Sequence, residues 1–124
     1  MYSANVRSLE MKVHGFLSEE VLQRLLAPID AALKGNPNDP CTLLIDILGM
    51  QGYSPEARAA YVGWHRRSPA NLCGVAVVTT NKLWTMVIAA IGITVPIRAF
   101  DGRERAEQWL RELGARTRAA SARP

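Results

Sequence analysis

A chain of 124 residues, 48% of them hydrophobic, suits one domain that buries a sizeable core without disulfide or metal staples. Its longest uncharged run, Leu83 to Ile97, contains Gly92 and Pro96 and falls short of the roughly 20 apolar residues that a membrane span needs. The formal charge of +4 does not argue for a specific nucleic-acid partner, because Arg116, Arg118 and Arg123 lie in an acid-free C-terminal segment and the remainder is close to neutral.

The composition therefore predicts a domain over 1–113 and a basic, disordered tail over 114–124. The N-terminus, MYSANVRSLEMKV, lacks the apolar core of a signal peptide, so a cytoplasmic protein is expected. Cys41 and Cys73 each open an apolar run and show no metal-ligand spacing, which reads as reduced, buried small hydrophobes.

In chain order, Ala4 to Val13 alternates as a strand ending at His14-Gly15. Ser18 caps a helix with Glu19 and Glu20 in its first turn and a stripe from Val21 to Leu33; Pro28 inside it predicts a kink or a shortened helix. After the breaker run Gly35 to Pro40, Cys41 to Ile45 is a second strand. It delivers Asp46 to a Gly-bearing loop, Ile47 to Tyr53, and Ser54-Pro55-Glu56 then has the composition of a helix N-terminus. In that helix Ala57, Ala60, Tyr61 and Trp64 share a face, and His65-Arg66-Arg67 reads as a solvated basic end.

Leu72 to Val78 is apolar throughout, as in a central, doubly buried strand. Thr79-Thr80-Asn81 leads into a helix with Leu83, Trp84, Val87, Ile88 and Ile91 as its packing face, stopped by Gly92. Thr94 to Phe100 is a last strand, placed at an edge by Pro96. Asp101 and Glu104 open a final helix carrying Ala106, Trp109, Leu110 and Leu113, which Gly114 should terminate. The order β-α-β-α-β-α-β-α indicates an open α/β sheet.

Catalytic templates are scarce: GxSxG, GxGxxG and GxxxxGK[ST] are all missing, and His14 and His65 show no metal-ligand spacing. Asp46 has two readings, a general base or ligand at the sheet's carboxyl edge, or an acceptor that anchors the following loop. With no second acid or histidine close by in sequence, the anchoring role is favoured; an enzyme is conceivable only if folding brings His14 or His65 to it.

Leu43-Leu44-Ile45-Asp46 followed by Gly49-Met50, the strand Gly74 to Val78 before a short amphipathic helix, and Arg98-Ala99-Phe100-Asp101 with Glu104, Ala106, Trp109 and Leu110 together resemble a STAS domain. The likeness is to the SpoIIAA-like branch, related to the lipid-binding SEC14 class, and covers Leu9 to Leu113. It implies a single-domain STAS/SpoIIAA-like fold with four helices, a four-stranded mixed sheet and no enzymatic activity. Anti-sigma antagonists of this type carry an Asp-Ser pair at the start of the second helix. Counted from Asp46, that pair falls on Ser54 and Pro55, and a slip of one makes Ser54 a phosphosite behind Tyr53 in place of Asp.

The expectation is thus a non-catalytic binding or regulatory module without the usual Asp-Ser phosphosite, acting through a protein partner. The partner surface would be Gly49, Gln51, Gly52, Tyr53, Ser54, Glu56 and Arg58, with Thr79 to Lys82 nearby. The second expectation is a carrier of a lipid or small hydrophobic ligand, with Trp84, Met86 and Val87 in its pocket. No cofactor or metal is predicted, and a homodimer stays open.

Overall fold

The computed structural model describes residues 6–121. Its elements are β1 (Arg7–Leu17), α1 (Glu19–Gly35), β2 (Cys41–Tyr53), α2 (Pro55–Arg66), β3 (Leu72–Val78), α3 (Lys82–Ile91), β4 (Ile97–Phe100) and α4 (Arg103–Ser121). The strands lie in the order β1-β2-β3-β4, and every neighbouring pair is parallel. This corrects the mixed sheet expected above. Each strand reaches the next through a helix, which carries the chain back to the starting edge, so none is left to run the other way.

Because the strand order never reverses, right-handed crossovers put all three connecting helices on one face. The larger core lies there: Met11, Val13, Leu43, Ile45, Val75 and Val77 pack against Leu22, Leu26, Ile29 and Leu33 of α1, Tyr61 of α2 and Ile88 of α3. The other face is covered by α4, whose Ala106 and Leu110 sit on Leu44, Ala76 and Val78. The core positions alternate along the strands, as a pleated sheet requires.

Several local expectations are corrected. Pro28 does not cut α1, because it lies on the exposed side, where water can satisfy the carbonyl one turn back. β4 begins at Ile97, after Thr94 and Val95 close a turn onto the carbonyl of Ile91. Gly114 does not end α4, which continues to Ser121, so the proposed tail begins inside a helix; Arg123 and the first residues proposed for β1, Ala4 and Asn5, lie outside the described residues. Gly114 answers a packing need: a Cβ there would come within 2.9 Å of Val6 Cγ2. Cys41 is buried, Cys73 is half-buried, and both are free thiols.

One clasp had no sequence signal. The buried Asn71 amide nitrogen donates to the carbonyls of Leu33, Asn36 and Asp39, at 3.1 Å each, and ties the end of α1 to the start of β3. No helix among the described residues is long and apolar enough to cross a membrane.

Candidate functional site

The carboxyl ends of parallel strands share one edge, and the N-termini of the helices that follow stand there too. At this edge β1 and β2 outrun β3, whose pairing with β2 stops at Val78 opposite Asp46. The segment expected as a loop, Ile47 to Tyr53, is therefore strand, paired with His14 to Leu17 through two register shifts. Gly15, at φ +70°, takes the left-handed conformation beside the second shift. Asp46 accepts a 2.9 Å bond from Leu48 N where the two-stranded ribbon leaves the sheet.

The ribbon ends at Tyr53, and Ser54 turns the chain into α2, its hydroxyl accepting from Ala57 N at 3.1 Å. The ribbon's inward residues Ile47, Met50 and Tyr53, with Ala57 and Tyr61 of α2 and Trp84, Val87, Ile88 and Ile91 of α3, line an apolar cavity of about 100 Å³ that opens to solvent. Tyr53 and Trp84 meet edge to face, ring centroids 6.4 Å apart. Arg58 is the one charged side chain on the wall, and it is exposed. The cavity adjoins a shallow trough along the outside of α2, formed by Tyr53, Pro55, Arg58, Ala59, Val62, Gly63 and Arg66.

α3 closes this cavity loosely. Only Ile88 is buried; Leu83 and Met86, 66% and 69% exposed, face solvent, as does Ile93 just past the helix. Leu83 thus leaves the packing face expected for it. Trp84 and Val87 line the cavity whereas Met86 does not, and of the proposed partner surface Gln51, Glu56, Arg58 and Gly49 are exposed while Gly52, Tyr53 and Ser54 are half-buried.

His65, read as a solvated helix end, is buried instead, and its Nδ1 shares a 3.0 Å hydrogen bond with the Tyr61 hydroxyl one turn away. Burial pushes the Tyr61 phenol far up and holds the His65 imidazole below its ordinary range. The i, i+4 spacing of Tyr61 and His65 was the available signal. His14 lies against Gly49, where a Cβ would approach its Nδ1 to 2.6 Å. Neither histidine forms a hydrogen bond or ion pair with Asp46 among the described residues, and no cluster of three metal-ligating side chains occurs among them.

A parallel four-stranded sheet with three crossover helices on one face and a closing helix on the other defines an α/β domain of the STAS type. The SpoIIAA-like family model matches residues 8–111, and the chain belongs to that family, which includes anti-sigma-factor antagonists. Among solved structures it is similar to a DUF3478-family protein with a SpoIIAA-like fold from Shewanella loihica PV-4, at 21% identity and TM-score 0.67 over 82% of each chain. It is also similar to the anti-sigma factor antagonist SpoIIAA in its unphosphorylated form, at 14% identity and TM-score 0.64, covering 86% of this chain and 92% of that one. These likenesses establish the fold. No curated protein matches the sequence.

Proposed function

We propose that the chain is a non-catalytic regulatory module that captures a protein partner at the corner between α2 and α3. The observation that carries this is the apolar cavity beneath an apolar helix that the fold leaves largely uncovered. The size of the cavity favours a protein side chain over a whole small molecule. At about 100 Å³ the cavity is well below the roughly 300–1,000 Å³ of small-molecule sites, and it suits one aliphatic side chain inserted as an interface anchor. Exposed Leu83, about a quarter turn round α3 from the cavity-facing residues, then adds apolar contact beside it. The two free cysteines accord with a reducing, cytoplasmic setting.

Ser54 does not need phosphate to serve this role, since its hydroxyl already caps α2. An aspartate there keeps the cap and adds charge, so Ser54→Asp should weaken partner capture without lowering the melting temperature. The decisive variant is Val87→Phe, which fills the cavity. It should stabilise the fold by about 1 kcal/mol and abolish capture in a pull-down read by mass spectrometry. Full capture by a stable Val87→Phe protein would sink the reading.

The same cavity supports a second reading, a carrier of a lipid or small hydrophobic ligand, provided that α3 moves outward to enlarge it. Native mass spectrometry separates the two. Co-purifying lipid that is lost in Val87→Phe favours the carrier.

A further inference from the structure

We infer that the partner of this corner is an acidic amphipathic helix, seating one aliphatic side chain in the cavity and setting carboxylates against Arg58 and Arg66. The inference rests on the docking reading above and adds the chemistry of the partner. The cavity and the adjoining trough contain no acidic lining residue, but the trough holds two arginines on one side of α2. Both are exposed, and neither is ion-paired among the described residues. The ion-paired acids are committed elsewhere: Asp30 to Lys34, Glu10 and Glu107 to Arg103, and Asp101 to Arg105. Exposed Glu56 at the start of α2 offsets one of these charges, so with Arg58 and Arg66 the corner is modestly cationic within a body close to neutral.

Spacing gives the partner its shape. Eight residues along a helix separate the two guanidinium-bearing positions by about 12 Å, a little over two helical turns. Carboxylates seven or eight residues apart on a second helix match that interval, with the apolar anchor between them, as in helix-in-groove recognition. An anionic bilayer fits less well. The exposed apolar helix α3 has Lys82 as its one basic residue, whereas a membrane-surface helix is rich in basic side chains.

The test uses synthetic amphipathic helices of about 18 residues that share one leucine face and are flanked by glutamate, glutamine or lysine. Binding to the full chain is read by fluorescence anisotropy. The glutamate peptide should bind at least about tenfold tighter than the lysine peptide at low salt, with the gap closing as salt rises. Arg58→Glu with Arg66→Glu should invert that preference at an unchanged melting temperature, since both positions are exposed. Val87→Phe should abolish binding of all three peptides. Equal affinity for the glutamate and lysine peptides, no binding by any of them, or indifference to the double charge reversal overturns the inference. If charge has no effect while Val87→Phe still abolishes capture, the docking reading survives alone; if Val87→Phe changes nothing, that reading fails as well. Binding to phosphatidylglycerol vesicles but not to the glutamate peptide would also overturn it in favour of a membrane surface.

Discussion

The helices α3 and α4 lie on opposite faces of the same sheet and invert the usual relation between composition and burial. α3 is almost wholly apolar, yet Ile88 is its one buried residue. α4 is rich in charge, yet Ala106 and Leu110 are buried in the second core, Gly114 is buried against Val6, and Gly74 of β3 takes Leu113 at close range. Its outer positions join ion pairs, Arg103 bonding both Glu10 of β1 and Glu107. The side-chain bond between Glu10 and Arg103 lowers the Glu10 carboxyl below its ordinary value. The pairing reinforces the seat of α4, although exposed bridges of this kind contribute little on their own. The large apolar side chains described on α4, Trp109, Leu110 and Leu113, are used by the fold. The apolar surface of α3 exceeds what the fold uses, and the excess is the best guide to where the molecule works.

The largest effect should come from the seated helix. Leu110→Ala removes a side chain only 6% exposed in the smaller core, where α4 alone closes the face. A loss of about 2–5 kcal/mol is expected in urea unfolding, with the upper part of that range favoured if the sheet does not collapse into the gap. A loss below about 1 kcal/mol would mean that α4 is not the structural lid described here.

A middle effect sharpens the comparison from within the larger core. α2 borders the same cavity as α3, but it is fixed by the buried pair Tyr61 and His65. Desolvation holds the folded His65 pKa below its ordinary value of 6.5. At pH above 6.5 the imidazole is neutral whether folded or unfolded, and stability is unaffected. Below 6.5 the unfolded chain takes up a proton that the folded chain resists, so stability falls as pH drops from 6.5 towards the folded pKa. Melting curves should show that decline as the pH falls below about 6.5, and His65→Gln should flatten it. An unchanged slope in the variant would show that His65 does not resist protonation.

Much of this layout was legible in the sequence, for reasons that particular residues make plain. Four strands and four helices and their order followed from apolar period and caps; the edge position of β4 is as expected, although Pro96, on which that expectation rested, lies just outside the strand. The parallel sense of every pair did not, because it depends on how crossovers return the chain. Ile47 to Tyr53 looked like a loop because Gly49 and Gly52 break a strand pattern. Its pairing with His14 to Leu17 is a non-local partnership that no window along the chain contains. Gly114 carried a stop signal locally, while its contact with Val6 lies at the other end of the sequence. At the site, the Thr42 to Trp64 stretch was singled out by its strand, turn and cap, but the cavity depends on α3. The spacing of Trp84, Val87, Ile88 and Ile91 did give the inward face of α3, but Leu83 and Met86 are apolar too, and composition alone did not say that they would be left open.

The smallest effect is therefore the most informative. Leu83 is 66% exposed on α3, so Leu83→Ser should change stability by no more than about 0.5 kcal/mol, as surface substitutions generally do. In the docking reading the same change removes apolar contact beside the cavity mouth and should reduce affinity for the glutamate-flanked peptide by about 3- to 30-fold. The contrast with Leu110→Ala is the point of the experiment. One leucine is needed to hold the domain together and leaves its surface chemistry alone, and the other is needed only when a partner arrives. If Leu83→Ser instead lowers the melting temperature as far as Leu110→Ala, α3 is packed in solution as α4 is. The surplus apolar face would then not exist, and the α2–α3 corner would lose its claim to be the working surface.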